Sequence, residues 1–62
     1  MPVINVKMYS GRTQEQKREF AKRITEVTTD VLKIPAEAVT IILDEYDKSN
    51  WASGGKLHSE QK

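Results

Sequence analysis

A single long helix is predicted by the stretch GRTQEQKREFAKRITEVTTDVLKIP, residues 11–35. Thr13 and Gln16 have the spacing of a capping box, in which each side chain satisfies a free backbone amide of the first turn. Pro35 marks the end of the helix, because proline lacks an amide hydrogen and clashes with the preceding turn. Apolar residues recur at spacings of four, three and four: Phe20, Ile24, Val27 and Val31. That period predicts a helix face that packs on a sheet.

The segments on either side of the helix are predicted strands. Residues 3–8, VINVKM, alternate between two faces and predict a half-buried strand. Residues 39–46, VTIILDEY, are mostly apolar and β-branched, which is typical of a central strand covered on both faces. Strand, helix and strand form a βαβ unit, whose two strands are parallel. The fold class is therefore α/β (α+β).

The tail of the chain carries turn-forming residues. Gly54-Gly55 predicts a short C-terminal β-hairpin, which we expect to reach a neighbouring subunit. Residues 58–62 are polar and are expected to be frayed.

The size of the chain predicts self-association. Its 62 residues form one domain, residues 1–62, and a chain this short buries only about 60% of its unfolded surface. There is no cysteine, and a single histidine, His58, makes no metal site alone. Two strands under one helix also leave a sheet face and two edges uncovered. We therefore expect a homo-oligomer.

The charge pattern excludes several partners. Ten basic and nine acidic residues are interspersed, so no net field attracts a nucleic acid or an anionic membrane. No apolar run reaches the roughly 20 residues of a membrane span, and no secretory signal precedes the first strand. We expect a cytoplasmic protein without a metal or a cofactor.

Common catalytic motifs are absent, which leaves Pro2, Arg12 and Trp51 as candidate site residues. Removal of Met1 would turn Pro2 into a terminal secondary amine. An α-amino group has a pKa of about 7.7–8.0, which desolvation or a nearby cation lowers. Such an amine can take a proton from one atom of a substrate and return it to another.

The two other candidates each have two interpretations. Arg12 follows Gly11 at the strand-to-helix turn, where its guanidinium either holds a substrate carboxylate in a bidentate fork or is simply solvated. Trp51 is either an apolar wall that keeps the amine unprotonated or an anchor in a subunit interface.

Several segments together carry a resemblance to a known family: Met1-Pro2 before a strand, GRTQEQK at 11–17, TIILDE at 40–45 and Gly54-Gly55. The chain resembles the 4-oxalocrotonate tautomerase family over nearly its whole length. This resemblance implies a tautomerase fold, also that of the MIF proteins, assembled as a hexamer, a trimer of dimers, with active sites shared between subunits. It implies that Pro2 moves a proton from the hydroxyl of a dienol such as 2-hydroxymuconate to a distant carbon. Arg12 then binds the small-molecule carboxylate substrate, and Trp51 takes the place of the pocket's phenylalanine.

One position departs from the family pattern. The second arginine of the family, which polarises the ketone oxygen, corresponds to Thr40. Losing such an electrophile typically costs about 10²–10³ in rate when nothing replaces it. Tyr9 and Lys7 are the candidates to replace it. We expect modest activity on the usual dicarboxylate, and a natural substrate that is a monoacid or an enolised ketone.

Two other functions stay open at this point. The same proline can activate water or form an iminium with a carbonyl substrate, which gives hydratase, dehalogenase or decarboxylase-like chemistry. A carboxylate positioned to activate water, such as Asp44, Glu45 or Asp47, would support this function. Alternatively, the protein is a non-catalytic oligomeric binding module, which the substitution at Thr40 would explain.

Overall fold

The structure, a computed structural model, describes residues 1–61 and contains a βαβ unit followed by a hairpin. The elements are β1 (Val3–Tyr9), α1 (Gln14–Leu32), β2 (Thr40–Tyr46), β3 (Ala52–Ser53) and β4 (Lys56–Leu57). Three short 3-10 helices lie at Ala36–Ala38, Lys48–Asn50 and His58–Glu60. Strands β1 and β2 are parallel, and β3 and β4 are antiparallel. The predicted βαβ unit and C-terminal hairpin are confirmed.

The ends of α1 follow from its capping residues. The Thr13 hydroxyl accepts the Gln16 amide, and the Gln16 side chain accepts the Thr13 amide, both at 3.0 Å. The predicted capping box is therefore present. At the other end Lys33 adopts a left-handed backbone, φ 57°, and its amide donates to the Thr29 carbonyl at 3.0 Å. The helix thus ends at Leu32, shortly before Pro35.

The two faces of the β1–β2 sheet have different surroundings. Strand register pairs Val3 with Thr40 and Tyr9 with Tyr46, so paired residues share a face. The helix lies over the face of Ile4 and Val6, and the Lys17–Glu45 ion pair, 2.7 Å, connects helix and sheet. The opposite face, here called the open face, carries Val3, Asn5, Lys7, Tyr9, Thr40, Ile42, Asp44 and Tyr46.

Within one chain β2 is covered on one face only. Ile42 on the open face remains 43% exposed. A single helix has only one sheet face to pack against, so coverage of β2 on both faces requires a second copy and stays a prediction.

The single chain has no interior of its own. No side chain among residues 1–61 is fully buried, and Val27 and Val31 are 63% and 66% exposed. The radius of gyration is 14.8 Å, against about 10.6 Å for a compact domain of this length. The accessible surface is 4933 Å², against about 4,100 Å² for a compact monomer of this mass. This extended shape leaves large apolar side chains such as Val27 and Val31 exposed to solvent.

The C-terminal segment is ordered by its turn and by His58. Gly54 and Gly55 have φ values of 59° and 80°, as a two-residue type I′ hairpin turn requires. Residues 58–60, which were expected to be frayed, form a short 3-10 helix, and the His58 ring hydrogen-bonds Tyr9 and Ser53. Position 62 lies outside the described residues. None of the helices in residues 1–61 has the length and apolar character that crossing a membrane requires.

Candidate active site

Pro2 is held at the end of the parallel sheet. Its carbonyl accepts the Thr40 amide at 3.1 Å, which extends the β1–β2 ladder by one residue. The alternation of β1 sets half-buried Pro2 on the same face as Ile4, the face under the helix. Met1 is 92% exposed. The sheet therefore holds Pro2 in position, while Met1 is accessible to solvent.

Arg12 lies beyond the other end of β1. Gly11 turns the chain there with φ 121°, a conformation that favours glycine. Arg12 lines a cavity of about 380 Å³ together with Val6, Met8, Gln16, Lys17 and Phe20. Lys17 is paired with Glu45 at 2.7 Å, whereas Arg12 makes no ion pair with residues 1–61. A free guanidinium beside apolar walls suits the carboxylate of a small, largely apolar acid.

Trp51 belongs to a cluster of rings on the open face. The Tyr9 ring meets it edge-on with centroids 4.9 Å apart, and the His58 ring stacks on it with centroids 6.0 Å apart. His58 Nδ1 hydrogen-bonds the Tyr9 hydroxyl, and Nε2 lies 2.8 Å from Ser53 Oγ. A neutral imidazole satisfies both contacts, since one nitrogen donates and the other accepts. These contacts hold the indole in one orientation.

A second cavity, of about 330 Å³, opens beside Trp51. It is lined by Lys7, Tyr46, Asn50, Trp51 and Ala52. Lys7 Nζ lies 3.3 Å from Asp44 Oδ2 and 5.6 Å from the centre of the Tyr46 ring. The hydrogen bond to Asp44 raises the pKa of Lys7. Hydrogen bonds from Asn5 and Lys7 lower the pKa of Asp44.

The three predicted site residues do not meet within one chain. Pro2 and Arg12 flank opposite ends of β1, whose length is about 20 Å. Arg12 and Trp51 line different cavities. Sequence analysis missed His58 and Asn50, because no local pattern indicates contacts made across the fold. Among residues 1–61 no group of His, Cys, Asp and Glu side chains could hold a metal ion.

Comparison with known proteins shows the family. A family model described as tautomerase enzyme matches residues 2–61. The chain belongs to the tautomerase family. A probable tautomerase of Bacillus cereus is 36% identical over 61 residues, which cover 98% of this chain and 100% of that protein. The 2-hydroxymuconate tautomerase of Bacillus subtilis is 34% identical over 62 residues and is matched over 100% of both chains. The chain is therefore a tautomerase enzyme.

Solved structures share the fold of this tautomerase. A 4-oxalocrotonate tautomerase homologue is 40% identical, with a TM-score of 0.90 and coverage of 100% of this chain and 98% of the other. A heterohexameric 4-oxalocrotonate tautomerase from Chloroflexus aurantiacus is 27% identical, with a TM-score of 0.89 and full coverage of both chains. A structure analysed for trans-3-chloroacrylic acid dehalogenase activity is 28% identical, with a TM-score of 0.80 and coverage of 90% and 97%. The expected tautomerase fold is confirmed.

Proposed function

We propose that this tautomerase interconverts the enol and keto forms of a 2-hydroxydienoate or related 2-oxo acid, with Pro2 as the general acid-base after loss of Met1. The observation that supports this proposal is the position of Pro2, whose carbonyl is bonded to the Thr40 amide at 3.1 Å. While Met1 is attached, the Pro2 nitrogen is an amide without a basic lone pair. Removal of Met1, which is 92% exposed, makes it a secondary amine.

The proton transfers balance without an external reagent. The amine lone pair takes the enol hydroxyl proton, and the O–H electron pair forms the ketone C=O bond. The conjugated double bonds shift, and the far carbon takes the proton from the proline ammonium to form a C–H bond. The amine is regenerated and nothing is oxidised or reduced. General acid-base catalysis of this kind typically contributes about 10²–10⁴ in rate.

A complete site requires a second copy of the chain, because Pro2 and Arg12 flank opposite ends of β1. The outer edge of β1 has no strand partner within residues 1–61. If two such edges pair antiparallel about a two-fold axis centred on Val6, Pro2 comes opposite Ser10 of the second copy. Arg12 of that copy follows two residues later.

The cavity of that arginine also lies on the helix side of the sheet, as Pro2 does. We therefore assign the substrate carboxylate to Arg12 of the second copy, in a homo-oligomer. A hexamer built as a trimer of dimers is the assembly that the family resemblance implies. Trp51 is assigned the aromatic wall that the family resemblance implies; because it lies on the open face and lines a different cavity from Arg12, a copy other than the one that supplies Pro2 contributes it.

Water-activating chemistry has less support. A hydratase or dehalogenase of this fold needs a carboxylate that is free to activate water. Asp44 and Glu45 are paired with lysines at 3.3 Å and 2.7 Å, and Asp47 accepts the Ser10 hydroxyl at 2.7 Å. Because all three carboxylates are engaged, proton transfer by Pro2 alone is the favoured chemistry.

The decisive test is the ultraviolet change of 2-hydroxymuconate with wild type and Pro2→Ala. Alanine is also small enough to allow Met1 removal, so the variant differs at the amine, and intact mass verifies processing of both proteins. We expect the rate to fall at least about a hundredfold. Pro35→Ala, at the chain's other proline, controls for loss of a proline elsewhere. Equal rates for wild type and Pro2→Ala, or no covalent labelling of processed Pro2 by 3-bromopropiolate, would contradict the proposal.

A further inference from the structure

We propose that Glu45 and Asp47, at the carboxyl end of β2, are positioning residues that hold the Arg12 loop, residues 10–13, ready for the carboxylate of the substrate. Asp47 holds the loop where it leaves β1, and Glu45 holds it where it enters α1. Neither residue touches the substrate in this proposal. It rests on the proposed function in one respect, the assignment of the substrate carboxylate to Arg12.

The first anchor lies where the loop leaves β1. The Ser10 amide donates to the Tyr46 carbonyl at 2.8 Å, and the Ser10 hydroxyl donates to Asp47 Oδ1 at 2.7 Å. A hydrogen bond to an ionised acceptor is stronger than one between neutral groups. The backbone and the side chain of Ser10 are therefore both tied to the end of β2, one residue before the turn at Gly11.

The second anchor lies where the loop enters α1. Lys17 donates its amide to the Thr13 carbonyl at 3.1 Å, and its Nζ lies 2.7 Å from Glu45 Oε1. The two side chains are 22% and 27% exposed, which makes this the least exposed of the three ion pairs in residues 1–61. Salt screens such a partly buried pair less than a pair on open surface. Glu45 therefore fixes the first turn of the helix relative to the sheet.

Between the two anchors the loop has little support of its own. Within the described residues, no atom beyond the chain neighbours of Gly11 lies within 4 Å of the place where its β-carbon would be. Arg12 is exposed and makes no ion pair with residues 1–61. Ordering a loop when a ligand binds costs free energy, so a loop that is already held binds more tightly. The anchors supply this order from one short stretch of β2, residues 45–47.

The charges of the two anchors allow positioning to be distinguished from simple electrostatics. Glu45 and Asp47 are carboxylates near a site that is proposed to bind a carboxylate, and like charges repel. If charge alone mattered, removal of either residue would tighten the binding of an anion. Positioning predicts the opposite change, which is weaker binding.

The test measures the binding of 2,4-hexadienedioate to the full oligomer by isothermal titration calorimetry. This dianion has the carbon chain and the two carboxylates of 2-hydroxymuconate but no enol hydroxyl. Asp47→Ala and Glu45→Ala should each bind it about three- to tenfold more weakly than wild type. Asp47→Asn, which keeps an oxygen acceptor for Ser10, should restore most of the affinity. Glu19→Ala, which removes the exposed ion pair with Arg23, is the matched control and should bind like wild type.

A second comparison checks that the anchors act through Arg12. Asp47→Ala should add no further loss of affinity to an Arg12→Ala protein, because the side chain that it positions is already absent. In turnover of 2-hydroxymuconate, Asp47→Ala and Glu45→Ala should raise KM and keep kcat, as expected when only binding is lost. A general loss of stability would instead lower the amount of active oligomer and leave KM unchanged.

The proposal is overturned if Asp47→Ala and Glu45→Ala bind the dianion as tightly as wild type or more tightly. It is also overturned if the losses from Asp47→Ala and Arg12→Ala add, since the residues would then act independently. Retained turnover of Pro2→Ala would contradict the proposed function alone, because the comparison of affinities involves no proton transfer.

Discussion

Replacing Ile42 with asparagine should weaken the assembly of the tautomerase and, with it, most of its activity. Ile42 lies on the open face of the sheet, where it stays 43% exposed within residues 1–61. A second copy that covers this face would surround the asparagine amide with apolar groups. Because Pro2 and Arg12 flank opposite ends of β1, a dissociated chain would hold only part of the proposed site.

The expected loss of association free energy follows from the exposed fraction of Ile42. Full burial of an isoleucine side chain is worth about 1.5–3 kcal/mol, so covering the 43% of Ile42 that is exposed contributes about 0.6–1.3 kcal/mol. An amide buried without a partner costs about 1–3 kcal/mol more. The sum, about 2–4 kcal/mol per chain, corresponds to association weaker by about 30- to 1,000-fold. Ile42→Val, the matched control, removes one methylene and should cost less than about 1.5 kcal/mol.

Sedimentation velocity and enol–keto turnover of 2-hydroxymuconate, measured over the same dilution series, provide the assay. Wild type and Ile42→Val should stay associated with constant activity per chain. Ile42→Asn should dissociate on dilution, and its activity per chain should fall in parallel. A monomeric Ile42→Asn protein with the wild-type kcat/KM would refute the reasoning, because the site would then be complete in one chain.

Two further predictions concern the ring cluster and acid stability. His58→Ala removes both ring hydrogen bonds and should lower the free energy of unfolding by about 1–3 kcal/mol. Urea titrations followed by Trp51 fluorescence measure this change, with exposed Ser59→Ala as the control. Unchanged stability of His58→Ala would contradict the anchoring role of His58. Hydrogen bonds from Asn5 and Lys7 lower the pKa of Asp44 in the folded protein. The Asp44 carboxylate therefore stabilises the fold fully above the ordinary aspartate pKa of about 3.9. This stabilisation is lost as the pH falls through the lower pKa of the folded protein. Asp44→Asn should therefore flatten the acid-unfolding profile in that range, whereas Glu37→Gln should leave it as in wild type; identical profiles for wild type and Asp44→Asn would count against this assignment.

Local patterns were sufficient to predict the regular elements. The capping box at Thr13 and Gln16 fixed the start of the helix, because its two hydrogen bonds depend only on residues three apart. The Gly54-Gly55 turn was equally local, since two successive positive φ values favour glycine. The apolar period of the helix did not identify the packed face in the same way: Ile24 is half-buried, but Phe20, Val27 and Val31 stay 43%, 63% and 66% exposed within one chain.

Contacts between distant residues were not predictable in this way. Tyr9 and His58 are 49 positions apart and meet only when the hairpin folds back against β1. His58 lies in a polar segment, so its composition alone predicted a frayed end. Lys7 was one of two possible replacements for the family's second arginine, and only its cavity with Trp51 distinguishes it from Tyr9. These contacts form only when the chain folds, so the local patterns of one sequence do not predict them.

The hydrogen bond from the Thr40 amide to the Pro2 carbonyl means that the position of the proposed terminal amine depends on the number of residues before Val3. Each residue of a strand advances the chain by about 3.3 Å. One residue inserted before Val3 would move a terminal proline by about that distance from its place beside Thr40. An amino-terminal affinity tag would leave an amide where the proposed mechanism needs a base. A tag belongs at the carboxyl terminus. In an oligomer with shared sites, incomplete trimming of Met1 during overproduction would yield particles with a variable number of working sites, so specific activity should be normalised to the trimmed fraction.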